Sequence, residues 1–473
     1  MGRGWPNVVL VVLDTARADA FEPWGARPGA SPAVAELARA GAAHPATLAP
    51  VGWTLPSHAA LFTGLLPRDL GLHLVFDQSA AGYRAALDVH RDRMLAEVLR
   101  RSGWTTAAVS TNPVVHEISG FASGFEQFHN PLIERTNGIR PDGWKAKAVW
   151  VLEALAARLD DGALAVERML TEWLRARDGR PFFWFVNLME CHSPYLPPHP
   201  FSPLGPVSRA RAAVEAGQWL NFSAICAVSA GAPTVPEPVV ERMRLLYAGA
   251  IAQLDAWIAR LLHLLDASGV LDDTELVITA DHGENLGDGG LLGHAFSLDD
   301  RLLRVPFVCA GPLPPPPAAG PWSLAQVPGW LGNALGIEHP WTERWPDGIV
   351  VSQHHTSRAP DDPLVRAIAD EWQLDDTAVA RMCRTFQCAS EGRYKLFRDG
   401  AGETWVDLAT DPLEARPLAT PSPSIAPRTI GAMQRALDDA ERSAAVVGAT
   451  PTGEPGHPDA ARLAAQMELL GYA

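Results

Sequence analysis

Lysine is nearly absent from this chain of 473 residues, which carries only Lys145, Lys147 and Lys395. Arginine supplies the other basic charges, and the formal net charge is −15. An acidic surface repels the phosphates of nucleic acids and the headgroups of anionic membranes. We therefore expect neither a nucleic-acid partner nor a membrane partner. An anionic substrate would need a local reversal of this field, which a bound divalent cation supplies.

Cysteine pairs and long apolar runs are also missing from the sequence. The five cysteines form no Cys-x-x-Cys motif, and an odd, scattered set favours reduced thiols in a cytosolic setting. We identified no apolar run of about 20 residues, the length that crosses a bilayer. The first residues lead directly into a strand-like segment without the pattern of a signal peptide. The sequence thus predicts a cytoplasmic protein.

Strand-like and helical segments alternate along most of the chain. Continuous apolar runs, which are typical of buried parallel strands, occupy residues 7–15, 105–111, 181–189, 274–281 and 302–311. Helical patterns occupy residues 31–42, 91–104, 162–179 and 239–269. Ser31 is the expected N-cap of the first helix, and Pro32 suits its first position. The alternation predicts an α/β fold in which helices sandwich a mainly parallel sheet.

The composition and pattern of the sequence change after a proline-rich segment at residues 311–321. Residues 391–415 are typical of two short strands joined by a glycine-containing turn, and residues 428–444 form a helical pattern. We therefore predict three regions. They are a catalytic domain over residues 1–345, a small C-terminal α+β domain over residues 346–418, and a helical C-terminal tail over residues 419–473.

Three acids follow predicted strands at their carboxyl ends, where α/β enzymes place their chemistry. These acids are Asp14, Glu190 and Asp281. His282 follows Asp281, and such a pair can hold one cation through an oxygen and a nitrogen, although a turn aspartate beside a solvated histidine gives the same dipeptide. With Asp14 and the hydroxyl of Thr54, the pair forms a near-complete tetrahedral site. This donor set suits Zn²⁺ or Mn²⁺ and, less well, Ca²⁺ or Mg²⁺.

Thr54 lies in the stretch PVGWTLPSHAALFTG at residues 50–64 and has two interpretations. It can cap the helix that follows, with Pro56 near the first turn. It can also be a nucleophile, because a metal-bound hydroxyl loses its proton at neutral pH. Both roles are compatible, since a helix N-terminus also favours a tetrahedral anion.

Further candidates are histidines in loops near these acids. His192 and His294 are predicted to contact the oxygens of the transferred group, to protonate a leaving group or to bind a second cation. Glu190 is a candidate for the same roles as these two histidines. His58, one turn after Thr54, is a candidate for contact with the substrate. The alternative for His192 is a loop histidine packed by its neighbours.

Taken together and in this order, these motifs resemble the sulfatase family within the alkaline phosphatase superfamily. The similarity extends over residues 5 to about 415. The matching segments are PNVVLVVLDTARAD, SPAVAELARAGA, WTLPSHAALFTGLLP, ECHSPYLPP, ITADHGENLGDGGLLGHAFSLDD, LLRVPFV and the C-terminal GRYKLFR with WVDLATDPLEA. The resemblance implies a large α/β domain with a mostly parallel sheet and a small C-terminal domain with an antiparallel sheet.

The resemblance also implies roles for individual residues. Three of them fall on metal ligands, namely Asp14, Asp281 and His282. Thr54 falls on the nucleophile. His192 and His294 fall on positions that bind the transferred anionic group or a second metal.

Several positions depart from the family pattern. Sulfatases carry Cys or Ser in a C/S-x-P-S-R motif, and that residue is oxidised to formylglycine, whereas this chain has Thr-Leu-Pro-Ser-His at residues 54–58. Threonine cannot become that aldehyde, because its β-carbon carries a methyl group. His58 replaces the arginine, His294 replaces a sulfate-binding lysine, and Thr15 replaces the second acid of the usual Asp-Asp start.

A threonine ester has no aldehyde exit and must be attacked by water or by another acceptor, which favours phosphorus chemistry. We therefore expect a metal-dependent hydrolase of a small anionic substrate, a phosphate ester, phosphodiester or phosphonate ester, acting through a covalent Thr54 intermediate. The alternatives are a transferase with an alcohol or amine acceptor, a sulfuric ester hydrolase, and a metal-binding pseudoenzyme. Residues 201–238 are expected to shape the entrance to the site.

Overall fold

The computed structural model describes residues 4–72, 80–131, 160–294, 296–345, 348–356 and 358–446. In chain order, the strands in these ranges are β1 (Asn7–Leu13), β2 (Ala42–Ala43), β3 (Thr47–Leu48), β4 (Thr105–Ser110), β5 (Gln127–His129), β6 (Phe182–Leu188), β7 (Thr274–Thr279), β8 (Asn285–Leu286), β9 (Leu292–Gly293), β10 (Arg304–Val305), β11 (Phe307–Ala310), β12 (Trp322–Ser323), β13 (Val350–His354), β14 (Phe386–Ser390), β15 (Tyr394–Asp399) and β16 (Gly402–Asp407).

The α-helices in the described ranges cover the sheets and fill the connections between strands. They are α1 (Pro32–Ala40), α2 (Thr54–Thr63), α3 (Ala80–Val89), α4 (Leu95–Arg101), α5 (Ala163–Ala176), α6 (Pro206–Trp219), α7 (Phe222–Ser229), α8 (Glu237–Ala267), α9 (Asp300–Leu303), α10 (Val327–Leu335), α11 (Pro363–Trp372), α12 (Asp376–Met382) and α13 (Pro427–Val446).

A seven-stranded sheet in the order β2-β11-β7-β1-β6-β4-β5 forms the centre of the fold. Strands β7, β1, β6, β4 and β5 run parallel, and β11 is antiparallel to both β7 and β2. Six of the seven residues of β1 are buried, since both faces of the strand are covered and an uninterrupted apolar run satisfies both. The predicted α/β fold with a mainly parallel sheet is confirmed.

The predicted strand at residues 302–311 is divided in the structure. Its first residues belong to α9, and β10 then pairs with β3 in a small separate sheet. Pro306 follows β10, and only after it does β11 join the central sheet. Proline has no N–H to donate to a ladder and fixes its own φ, so a change of sheet at this position is expected.

The first helix begins where the sequence predicts, but its cap is different. Ser31 is at the N-cap position without a side-chain cap, because its Oγ accepts a hydrogen bond from the Glu22 amide at 2.8 Å. The cap comes instead from Asp255 in α8. Its carboxylate accepts the amides of Ala33 at 3.1 Å and Val34 at 2.9 Å. A cap from a residue more than 200 positions away in the sequence thus replaces the predicted cap by Ser31.

A second sheet, antiparallel and in the order β13-β14-β15-β16, lies in the C-terminal region. The predicted hairpin corresponds to β15 and β16, whereas β13 and β14 had no recognised signal. Helix α13, which lies in the predicted tail, packs on this sheet through Met433 and Leu437, which are fully buried. Residues 447–473 lie outside the described residues, and the three proposed domain boundaries stay predictions.

Residues 201–238, which carried no recognisable signature, form α6, α7 and the beginning of α8. Phe222 and Cys226 of α7 pack with α11 and α12 around Ile368 and Met382 as a small second apolar core. Ile225 of α7 lies against Gly293. This region therefore borders the hairpin β8–β9, which precedes His294.

Helix α8 is the one described helix long and apolar enough, by length and composition, to cross a bilayer. Of its most apolar stretch, 56% is buried inside the protein. The core helix of a globular domain passes the same test, so this observation is weak evidence for a membrane span. The predicted absence of a membrane partner stays a prediction.

Candidate active site and metal centre

Two neighbouring strands bring three chemically active side chains together. Asp14 follows β1, and Asp281 and His282 follow β7, the strand that pairs with β1 in parallel. Parallel neighbours end at the same edge of a sheet, which is where α/β folds bind ligands. One ligand atom from each of the three residues lies within 4.8 Å of the others, and all three side chains are fully buried. The structure thus brings the three predicted metal ligands together, and we call them the ligand triad; their binding of a metal stays a prediction.

Each carboxylate in this triad is held by one oxygen and leaves the other unused. Asp14 Oδ2 accepts the side-chain amide of Asn112 at 2.6 Å. Asp281 Oδ1 accepts the main-chain amides of Thr15 at 3.1 Å and His282 at 2.9 Å. Among the described residues, Asp14 Oδ1 and Asp281 Oδ2 have no hydrogen-bond partner. Buried carboxylate oxygens of this kind are suited to bind a cation.

The electrostatics of the triad also favour a cation. Burial, together with the nearby Asp281 carboxylate, raises the pKa of Asp14 to about 7, and burial likewise raises the pKa of Asp281 to about 7. Burial lowers the pKa of His282 to about 4, so the ring is neutral and can act as a ligand. A divalent cation would offset the cost of burying two carboxylates together. The donors fit such an ion.

Thr54 faces this cluster from the start of α2. Trp53 occupies the N-cap position without a side-chain cap, and Thr54 is the first helical residue, so Thr54 does not cap the helix. Its Oγ1 lies 3.2 Å from His282 Nε2. His282 Nδ1 lies 2.9 Å from the carbonyl of Gly283, which places the ring hydrogen on Nδ1 and a lone pair on Nε2. Thr54 is 1% exposed, and its hydroxyl faces a ring nitrogen that can accept a hydrogen bond or bind a cation.

The helix that carries Thr54 is anchored to the same cluster. Ser57 donates its hydroxyl to the main-chain oxygen of Asp281 at 2.6 Å. All ten residues of α2 are buried. The position of Thr54 relative to Asp281 is therefore fixed by the helix and not by its own rotamer alone.

Three histidine rings lie side by side at the site. The ring of His294 is 4.8 Å from that of His282 and 4.9 Å from that of His192, centroid to centroid. Burial lowers the pKa of His192 to about 4 and that of His294 to about 3. His294 Nδ1 lies 3.1 Å from Glu284 Oε1. The structure thus places both predicted histidines beside the ligand triad, as neutral rings.

The sequence interpretation missed three residues of the site. Glu284 lies opposite His294 across the β8–β9 hairpin, where Asn285 pairs with Gly293. Asn112 follows β4 at the same sheet edge as Asp14, so its place after a parallel strand was a usable signal. Asn187 lies within β6, and no local pattern distinguishes it.

Glu190 has a different environment from the one expected. Its Oε1 accepts the amide of Ala163 at the start of α5, at 2.8 Å. Burial, with the carboxylates of Asp161 and Asp160, raises its pKa well above the ordinary value. These contacts are those of a helix cap, and a role of Glu190 in substrate or metal binding stays a prediction.

Thr15, in place of an acid, is turned toward the neighbouring strand end. Its backbone is left-handed with φ 60°, and its hydroxyl donates to the carbonyl of Cys191 at 2.8 Å. The Cys191 thiol in turn donates to the carbonyl of Asp14 at 2.9 Å. Thr15, at the position of the second acid, therefore links the ends of β1 and β6. The candidate ligand set is left with two carboxylates, those of Asp14 and Asp281.

Comparison with known proteins identifies the family. The model of the Sulfatase family matches residues 6–325. The multifunctional alkaline phosphatase superfamily protein PehA of Trinickia caryophylli is 26% identical over 361 residues, covering 64% of this chain and 67% of that protein. The choline-sulfatase of Rhizobium meliloti strain 1021 is 24% identical over 445 residues, covering 89% and 83%.

A solved structure supports the same fold. The phosphonate monoester hydrolase of Agrobacterium radiobacter superposes with a TM-score of 0.63 at 17% identity, covering 95% of this chain and 100% of that one. The predicted family is confirmed. Proteins of this superfamily bind a divalent metal, and Asp14, Asp281 and His282 are grouped to do so. The chain belongs to the sulfatase family of the alkaline phosphatase superfamily and is a hydrolase that acts on ester bonds.

Proposed function

We propose that this enzyme cleaves a phosphate ester, phosphodiester or phosphonate ester through a covalent intermediate on Thr54. The observation that carries the proposal is the position of the Thr54 hydroxyl, buried and 3.2 Å from His282 Nε2 at the ligand triad. A hydroxyl beside ligands of a divalent cation is the arrangement of an activated nucleophile.

Asp14, Thr54, Asp281 and His282 would hold the cation. The two unused carboxylate oxygens supply negative donors, and His282 supplies a neutral nitrogen. This mixed set favours Zn²⁺ or Mn²⁺ over Ca²⁺ or Mg²⁺. When bound, such an ion lowers the pKa of a coordinated hydroxyl and polarises a phosphoryl oxygen.

The residues of the chain then perform a double displacement. The Thr54 hydroxyl gives up its proton as Oγ1 forms a bond to phosphorus and the ester P–O bond breaks, and the leaving oxygen takes up a proton in exchange. Water next attacks phosphorus and releases the Thr54 hydroxyl. His192 and His294 lie where neutral imidazoles can contact the transferred oxygens or the leaving oxygen. The N-terminus of α2 adds the positive end of a helix dipole.

Phosphorus chemistry is favoured because of the β-carbon of Thr54. Oxidation of a Cys or Ser to formylglycine gives an aldehyde hydrate that expels sulfate by collapsing. The methyl group of threonine prevents that route, so the intermediate must be cleared by an external nucleophile. A sulfate ester is the second candidate substrate, since the choline-sulfatase relative aligns with 89% of the chain.

The experiment is a screen of the purified protein with p-nitrophenyl phosphate, a phosphodiester, a phosphonate ester and the sulfate, each across several metals. Thr54→Val keeps the shape of the side chain and should lower turnover by roughly 10³-fold or more, whereas Thr54→Ser should retain most of it. Thr63→Val, at the far end of α2, is the matched control. Near-full activity of Thr54→Val would refute the proposal, and preferred hydrolysis of the sulfate would favour the second substrate.

Two further parts of this proposal need their own measurements. Product analysis with and without an added alcohol or amine separates a hydrolase from a transferase, because only a transferase gives the new ester or amide. We also propose that the enzyme acts in the cytoplasm on a small anionic ester, which cell fractionation would test.

A further inference from the structure

His58 is enclosed by the protein on both of its ring nitrogens. It lies one helical turn after Thr54 and is fully buried. Its Nδ1 is 2.9 Å from the main-chain oxygen of Thr54, and its Nε2 is 2.9 Å from the side-chain nitrogen of Asn187. The rings of Phe121 and Phe185 flank it edge-on at 6.1 and 5.9 Å. The predicted contact with substrate would need a nitrogen that these partners already use.

The partner on Nδ1 decides which nitrogen carries the hydrogen, because the main-chain oxygen of Thr54 can only accept. The hydrogen therefore resides on Nδ1, and Nε2 accepts from the side-chain amide of Asn187. The hydroxyl of Ser110, which lies 3.5 Å from Asn187 Oδ1, makes its shorter hydrogen bond to the carbonyl of Asn112 at 3.2 Å. Asn187 itself is fixed in the central sheet, where it pairs with Val12 and Ser110.

The Nδ1–H of His58 therefore points to the junction between nucleophile and ligand triad. It donates to the Thr54 carbonyl and lies 3.5 Å from Asp281 Oδ2, the oxygen without a hydrogen-bond partner among the described residues. A displacement of this hydrogen bond would move the first turn of α2. The Thr54 hydroxyl would move with it.

We propose that His58 is a positioning residue, whose Nδ1–H, oriented by Asn187, holds the first turn of α2 so that the Thr54 hydroxyl stays in line with the ligand triad. This inference rests on the proposed role of Thr54. A neutral donor thus takes the place where sulfatases have arginine. The residue acts through the Thr54 backbone and touches neither substrate nor cation.

Two near-isosteric variants of His58 test the roles of its two ring nitrogens separately. Asparagine places its amide nitrogen near histidine Nδ1, and glutamine places its terminal group near Nε2. We expect His58→Asn to keep kcat within about 10-fold of the wild type and His58→Gln to lower it by about 10- to 100-fold with an unchanged KM, as for other residues that orient a reactive group. Thr63→Val, in the same helix, should leave kcat unchanged.

The opposite pattern would overturn the inference. His58→Gln matching or exceeding His58→Asn, or a rise in KM at constant kcat, would indicate substrate contact through Nε2. Equal losses of thermal stability with unchanged kcat per folded molecule would indicate a structural role alone.

A measurement on the wild-type protein does not depend on the variants folding. Nitrogen-15 NMR of labelled histidine should show His58 as the Nδ1–H tautomer, and an Nε2–H tautomer would overturn the inference. This readout is also independent of Thr54→Val, so a failure of the proposed nucleophile and a failure of the His58 role give different results.

Discussion

At the scale of single residues, the chemistry depends on two carboxylate oxygens, Asp14 Oδ1 and Asp281 Oδ2, that have no hydrogen-bond partner in the described part of the chain. The two carboxylates are adjacent, fully buried and partly satisfied. Burial is the main cause that raises both pKa values, and for Asp14 the nearby Asp281 carboxylate adds to it. Burying both carboxylates in their charged form without a cation therefore destabilises the folded protein, and a bound metal ion would offset that cost.

Asp14→Asn tests this destabilisation. The amide keeps an oxygen that can accept the hydrogen bond from Asn112 and removes one charge. We expect a higher melting temperature for the metal-free protein and an affinity for Zn²⁺ or Mn²⁺ at least about 10-fold weaker. Thermal unfolding with and without a chelator, combined with calorimetric titration, measures both. The exposed Asp272→Asn is the control, and unchanged metal affinity in Asp14→Asn would exclude Asp14 as a ligand.

Glu275 gives a residue-scale prediction for pH. It lies in β7 toward the edge opposite the site, and its Oε2 accepts the amide of Leu313 at 2.9 Å. Burial raises its pKa from 4.5 to about 7. Because the folded pKa exceeds the unfolded one, this group favours folding at low pH and loses that contribution as pH rises through about 7.

Glu275→Gln should therefore stabilise the protein above pH 7 and change little at pH 5. The gain is at most roughly 3 kcal/mol, at about 1.4 kcal/mol for each pKa unit. Melting temperatures at pH 5 and 8 measure it, with the exposed Glu338→Gln as control. An equal shift at both pH values would contradict the assignment.

Local sequence patterns predicted which residues meet at the candidate metal centre but not the residues that support them. Asp14, Asp281 and His282 were recognisable because they follow parallel strands, whose carboxyl ends meet by topology. Asn187 was not, since its contact with His58 joins residues 129 positions apart. A hydrogen bond between distant residues leaves no periodicity in the chain.

At the scale of helices and strands, local sequence also predicted some features, whereas others depend on residues far away in the chain. The bounds of α1 and α8 follow from apolar periodicity and from Pro32, which suits the first turn. The cap of α1 could not be predicted, because Asp255 reaches it from α8. Strand 302–311 was overextended, since an apolar run does not reveal that Pro306 separates two sheets.

Asp255→Ala tests the distant cap. We expect faster hydrogen exchange at the amides of Ala33 and Val34 and a loss of about 1 kcal/mol in stability, the usual value for a helix cap. Asp255→Asn keeps an acceptor oxygen and should lie between Asp255→Ala and the wild type. Unchanged protection of both amides in Asp255→Ala would show that the helix does not depend on this carboxylate.

At the scale of the whole molecule, a buried lysine joins the C-terminal sheet to the catalytic region. Lys395 of β15 is 0% exposed. Its Nζ donates to the carbonyl of Leu298 at 2.6 Å and pairs with Asp300 at 3.1 Å and Glu414 at 2.8 Å. Leu298 and Asp300 lie just beyond His294, so the ion pair holds the segment that follows a site residue.

Lys395→Met should be strongly destabilising, by roughly 3–5 kcal/mol, because it leaves the buried carboxylate of Glu414 and the partly buried carboxylate of Asp300 without their cation. Glu414→Gln in the same chain should recover part of the loss by removing one of those charges. Denaturant unfolding of the single and double variants gives the coupling. A single variant as stable as the wild type would contradict this structural role.

The large-scale architecture was the most predictable part of the molecule. Alternating apolar strands and amphipathic helices specified the parallel sheet, and the hairpin at β15 and β16 indicated a second sheet. Helix α7 was not predicted, because its apolar face is short and is completed by α11 and α12 from a distant part of the chain.

The most direct test of the account is to find where the substrate's phosphoryl group is attached during turnover. Wild-type enzyme is loaded with metal, mixed with the best phosphorus ester, quenched in acid within the first turnover, and digested for mass spectrometry of the peptide that contains Thr54. We predict the phosphoryl group on Thr54 and no adduct in Thr54→Val. Turnover with an unmodified Thr54, or an adduct on another residue, would contradict the account.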